Sequence, residues 1–168
     1  ETKYRVAKTP ANHNNDIGMP MAILGMSEDT EVAVLEMGMN HFREIAYLAS
    51  IGRPDVAVIT NIGTMHIEHL GSQEGILQAK LEILEGMKQG GKLILNGDDP
   101  MLATLPEQPE REVVYYGSHG QPCDVRAQDV REKDGILCFR AVTDKENFQV
   151  ELALEGEHFV PDALTAIT

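Results

Sequence analysis

Cysteine is scarce in this chain: only Cys123 and Cys138 are present. They lack both the density of a disulfide scaffold and the paired spacing of a zinc site, so they read as ordinary thiols of a reducing compartment, which points to the cytoplasm. Basic residues are also few. Lys and Arg number 14 against 27 acidic residues, a formal net charge of -13. That balance argues against a nucleic-acid surface, which needs clustered Lys and Arg. It leaves nucleotides open, because backbone amides and metal ions can hold them instead. No apolar run approaches the length of a membrane span, so no membrane insertion is expected, and no basic apolar leader opens the chain.

What remains is a globular composition, 42% hydrophobic and 24% charged over 168 residues, enough to bury a core. Tyr4 to Lys8 reads as a short strand, followed by the polar, turn-forming loop Thr9 to Pro20. Composition leaves that loop open between a plain Asx-rich connection and a surface facing a polar ligand. Glu31 to Met37 and Asp55 to Asn61 are nearly continuous apolar runs of the kind that fit strands covered on both faces, and Lys92 to Asn96 is a third strand. Between them, Asn40 to Ile51 has helical spacing with Asn40 as its cap, and a second helix follows Ser72. Strands alternating with helices predict an α/β fold with a mostly parallel sheet flanked by helices, over about residues 1–111. Beyond that, about 112–156 reads as β-rich, with a small antiparallel meander, and 157–168 as the start of a helix with Pro161 in its first turn. That last pattern stops at Thr168 without a cap, which suggests a cut edge.

The polar chemistry gathers at strand ends, where open parallel sheets bind ligands. Glu36 ends the first of the three main strands, Thr60 and Asn61 the second, and Asn96 with Asp98 and Asp99 the third. In the helix after Ser72, at about 100° per residue, Lys80 falls in the middle of the apolar face among Ile76, Leu77, Ile83 and Leu84, with Glu74, Glu82 and Glu85 opposite. Periodicity leaves two readings of that lysine open: a stem that covers the core edge, or an amine set in a site. A desolvated lysine has a lowered pKa, and its neutral amine can add carbon dioxide to become a carbamate, a carboxylate-like metal ligand. Glu36 and His66 could hold magnesium given further oxygen ligands. His66 and His69 do not form the two-histidine helix motif of zinc proteases. Gly86 to Lys92 imitates a phosphate-binding loop, but Leu93 replaces the Ser or Thr and a helix leads into a strand, so it reads as a helix-ending glycine turn.

Taken in order, these segments resemble the central ATPase domain of the Mur ligases. Thr9 to Pro20 resembles the family's Asn-rich loop, Glu36-Met37-Gly38-Met39-Asn40 with Glu44-Ile45 its glutamate segment, and Thr60-Asn61-Ile62-Gly63 with His66 its strand-end motif. Ala79-Lys80-Leu81-Glu82 resembles its lysine helix and Asn96-Gly97-Asp98-Asp99 its adenine-side turn. The resemblance implies ATP-dependent amide ligation through an acyl phosphate. Glu36 and His66 would bind Mg2+ beside a carbamylated Lys80, these three forming the catalytic set. Asn96, Asp99 and His158 would face ATP, and Thr9, Asn12, Asn14, Asn15, Thr60 and Asn61 would approach the substrate. The Glu-x-Gly segment with its downstream Glu-Ile favours the members that join D-alanyl-D-alanine to UDP-N-acetylmuramoyl-tripeptide. The alternatives are a sister amino-acid or folylpolyglutamate ligase, or a non-catalytic α/β binding module. In the family pattern a P-loop, an amino-terminal UDP-binding domain and a carboxy-terminal domain complete the site, so this partial central domain is expected to be inactive alone. Phe159 and Asp162 stand where the family usually has asparagines, and Arg43 where it usually has glycine.

Overall fold

The computed structural model describes residues 3–106, 108 and 110–168, with the chain divided into two compact units. One comprises the residues up to Asp55 together with Gly63–Lys88, and the other comprises Val56–Ile62 with Gln89–Thr168.

In the first unit, β1 (Val6–Lys8) pairs in parallel with β2 (Val32–Val34), with α1 (Gly18–Leu24) between them in sequence. The expected strand from Glu31 to Met37 is thus short, and Val32, Ala33 and Val34 are all exposed rather than covered on both faces. Among the described residues β1 and β2 form a two-stranded sheet. α2 (Glu44–Gly52) starts later than the Asn40 cap predicts, because Arg43 adopts a left-handed conformation, φ 75°, at the N-cap. The chain continues through α3 (Ile67–Leu70), α4 (Gln73–Leu81) and α5 (Ile83–Gly86). Ser72 caps α4 as expected, its hydroxyl accepting from the Gly75 amide at 3.2 Å. Met19, Leu48, Ala49, Ile76 and Ala79 form the buried apolar core of this unit.

The second unit is a six-stranded sheet in the order β3 (Val56–Ile59), β4 (Lys92–Asn96), β5 (Glu112–Gly117), β6 (Val125–Lys133), β7 (Ile136–Val142), β8 (Asn147–Leu152). The first four strands run parallel and the last three form the antiparallel meander. β4 is covered on both faces through Leu93, Ile94 and Leu95, as its continuous apolar run requires. β3 differs from expectation. As an edge strand it buries Ala57 and Ile59 but leaves Val56 50% and Val58 37% exposed. The β6–β7 turn places Asp134 and Gly135 at positive φ, the geometry that matches strand twist in a tight hairpin. α6 (Val160–Ile167), with proline in its first turn, lays Val160 and Leu164 into a core with Tyr116, Leu137 and Phe139. No helix among the described residues is long and apolar enough to cross a membrane, and both cysteines are free.

The turn after β4 is tied down by a carboxylate. Asp98 accepts from the amides of Ser118 at 2.7 Å, His119 at 2.8 Å and Gly120. Partial burial opposes its ionisation, but these amides outweigh burial and hold the carboxyl below the usual carboxylate range. Folding therefore favours the charged form. The contribution is complete above the unfolded chain's value of about 3.9 and disappears as pH falls through the lower, folded value. Asp98→Asn should cost about 1–2 kcal/mol near neutrality, and its stability gap to wild type should close in acid. Thermal midpoints at neutral and acidic pH test this, and a gap independent of pH contradicts it. Phe139→Ala, which empties a fully buried site, should cost about 3–5 kcal/mol in denaturant unfolding.

Candidate functional site

The loop after β1 and the residues after β2 meet through specific hydrogen bonds. The Thr9 amide donates to the Val34 carbonyl at 3.0 Å, extending the β1–β2 pairing by one residue. The Glu36 amide then donates to the Thr9 hydroxyl at 2.9 Å, and the Asn14 carboxamide donates to the Glu36 carboxylate at 2.7 Å. The Gly38 amide completes the contact by donating to the Asn14 carbonyl at 2.8 Å. A Cβ at position 38 would lie 2.8 Å from the Asn14 carboxamide, so a larger residue there would have to displace the side chain that holds Glu36. Thr9, Asn14 and Glu36, singled out separately in the sequence, thus belong to one constellation with an exposed carboxylate whose orientation is fixed.

The other asparagines of the loop do different work. Asn15 accepts from the Ile17 and Gly18 amides at 3.2 and 2.7 Å and so shapes the entry to α1. Asn12 is exposed, and its carbonyl receives the Asn14 amide at 2.8 Å.

His66 is half-buried and takes a left-handed backbone, φ 64°, at the start of α3, where its carbonyl accepts from His69 and Leu70. Lys80 is half-buried in the last turn of α4. It borders the apolar stripe rather than occupying its middle, because Ile76 and Ala79 carry the burial. The helix also breaks at Glu82, which moves Ile83 and Leu84 into α5. Glu36, His66 and Lys80 all belong to the first unit. Among the described residues no three His, Cys, Asp or Glu side chains gather as a metal-binding cluster. His69 instead lies against His41, ring centroids 4.7 Å apart.

Glu82 departs furthest from the sequence reading, which set it on the face opposite the apolar stripe with Glu74 and Glu85. It is 7% exposed, and its oxygens accept from the Arg43 amide at 2.7 and 2.8 Å and from the Ala46 amide at 3.3 Å. The only signal available beforehand was a glutamate near the end of the lysine helix. Periodicity sends such a residue to solvent once the helix is extended through position 82.

In the second unit the ends of β3 and β4 are laced together. Asn96 donates from its carboxamide to the Thr60 carbonyl at 3.0 Å and accepts the Asp98 amide at 2.9 Å, so the side chain is held at both ends. Asp99 accepts from Ile62 at 2.7 Å, Met101 at 2.9 Å and Leu102 at 3.1 Å. Its carboxylate is thereby engaged in holding the turn. Asn61 is exposed, as is His158, whose ring packs on Phe159 at 4.2 Å in the turn before α6.

This chain matches the family model of the Mur ligase middle domain over residues 1–168. It is 43% identical over 166 residues to the UDP-N-acetylmuramoyl-tripeptide--D-alanyl-D-alanine ligase of Bacillus subtilis, covering 99% of this chain and 35% of that protein. The crystal structure of MurF from Acinetobacter baumannii superposes with a TM-score of 0.89 at 33% identity, covering 99% of this chain and 36% of that one. MurF ligase from Thermotoga maritima, solved in complex with ADP, gives 0.87 at 30% identity, covering 99% and 38%. The chain spans about a third of the length of the curated relatives it matches. With its whole length matched, the chain belongs to the Mur ligase middle domain family.

Proposed function

We propose that the full-length protein is an ATP-dependent ligase that joins D-alanyl-D-alanine to UDP-N-acetylmuramoyl-tripeptide. The observation that carries this reading is the 43% identity to the Bacillus subtilis ligase of that name across 99% of this chain. The ADP complex of the Thermotoga maritima relative supports nucleotide use. In the proposed reaction the substrate carboxylate takes the terminal phosphoryl group of ATP, releasing ADP. The amine of the dipeptide then forms the amide bond as phosphate leaves.

Glu36, an exposed carboxylate, and His66, a half-buried imidazole, would hold a magnesium ion that keeps places for phosphate oxygens and water. Such an ion would neutralise charge between nucleotide and carboxylate. Lys80 joins this set if its amine is carbamylated, which turns a cation into an oxygen ligand. Asn14 holds the Glu36 carboxylate in one orientation, so the negative charge is fixed before ligands arrive. Thr9, Asn12, Asn14, Asn15, Thr60 and Asn61 are assigned to the muramoyl-peptide side. Asn96, Asp99 and His158 are assigned to the nucleotide. The carboxamide of Asn96 keeps a second N–H and a second lone pair beyond its bonds to Thr60 and Asp98, enough for a two-point contact with a base edge. Asp99, its oxygens on three amides, serves by fixing that turn.

The test is turnover by the full-length enzyme, followed as ADP release that depends on both peptide substrates. Glu36→Gln and Lys80→Met should each lower kcat about 10- to 1,000-fold, and 13C-bicarbonate should give a carbamate resonance that Lys80→Met abolishes. Wild-type turnover in both variants defeats the site assignment, and ADP release indifferent to D-alanyl-D-alanine defeats the reaction.

A further inference from the structure

The start of α2 lacks a cap of its own. Arg43 occupies the N-cap without a side-chain capping bond, so the first amides of the helix need an acceptor from elsewhere. Glu82 supplies it from 39 residues away, and among the described residues it is the one charged side chain that is buried. A local cap needs a Ser, Thr, Asp or Asn in extended backbone at the N-cap, and Arg43, at φ 75°, offers neither. Taking the acceptor from the end of the lysine helix does something a local cap cannot, because it fastens two elements together. Gly86 adds a second fastening close by, lying so near the Ala49 backbone that a Cβ would collide with it.

The connections continue toward Glu36. Glu44, the first residue of α2, accepts from the Asn40 and His41 amides at 2.6 and 3.2 Å. Gly38, two residues before Asn40, donates to the Asn14 carbonyl at 2.8 Å, and Asn14 in turn holds Glu36. Lys80 lies two residues before Glu82 at the other end. The whole series belongs to one compact unit.

We propose that Glu82 is a positioning residue of the ligase site, its buried carboxylate setting the Lys80 end of α4 against the segment that carries Glu36. The inference rests on the assignment of Lys80 and Glu36 made above. Glu82 touches no reacting atom. Its contribution is to keep amine and carboxylate in register, so its loss acts on the assembly of the metal site beyond any effect on folding.

In the full-length ligase, Glu82→Gln should raise the half-saturating magnesium concentration about 10- to 100-fold and weaken the 13C-carbamate resonance, under conditions where circular dichroism shows a folded protein. Leu48→Ala, which opens a cavity in α2, should lower the melting temperature without moving the magnesium requirement. A Glu82→Gln enzyme that melts earlier yet keeps the wild-type magnesium requirement and carbamate signal overturns the proposal. If Glu36→Gln and Lys80→Met retain full ligation, the site assignment has failed. If they lose it while Glu82→Gln keeps the wild-type magnesium requirement, the positioning role alone has failed. Should Glu82→Gln not fold, Glu82→Asp keeps the charge on a shorter arm and carries the same expected rise and the same overturning result.

Discussion

A carboxylate withdrawn from water must be met by donors, and the donors most in need of an acceptor are the leading amides of a helix. Glu82 and the start of α2 satisfy each other in this way. The arrangement is lopsided in energy. Keeping both partners contributes modestly, whereas removing either leaves the other stranded in a dry place. That asymmetry makes the junction of α2 with the α4–α5 segment a fixed point, about which the rest of the first unit is arranged.

The same device recurs in smaller forms. Asp98 gathers three amides of the loop after β5, Asp99 ties the residues after β3 to those after β4, and Glu44 closes the turn before α2. An acidic chain with a net charge of -13 looks from composition like a molecule that repels polyanions. In three dimensions part of that acidity turns inward onto the backbone. Such carboxylates hold turns without bulk, leaving neighbouring surface for a polar ligand.

Local rules were readable where one short-range signal decides the outcome. The β4 strand, the Ser72 cap and Pro161 each follow from a few adjacent residues, and each forms as the sequence predicts. Reading failed where the deciding partner is distant. Helical periodicity sends Glu82 to solvent, and only the uncapped amides of α2 explain its burial. β3 and β4 both read as strands of the sheet, yet one is an edge strand and the other central, a distinction that pairing order makes and composition does not. Arg43 stood out as a departure from a family glycine, and its positive φ gives the reason glycine suits that place. At the candidate site the residue types were visible beforehand. The contact of Asn14 with Glu36 was not, since it depends on a loop folding back over the residues after β2.

The consequence for the proposed chemistry concerns how an exposed group becomes an effective one. Glu36 sits in water, where a lone carboxylate would sample many orientations and bind a hydrated magnesium ion weakly. Burial would fix it but would also penalise its charge. Hydrogen bonding from Asn14, with the loop anchored by Thr9 and the tight approach at Gly38, restricts the carboxylate while leaving it accessible. Preorganisation of this kind lowers the reorganisation needed when ligands bind. It also transfers the burden of precision from the carboxylate to the elements that carry its partners. A buried glutamate between two helices is then a more economical guarantor of site geometry than a buried site would be.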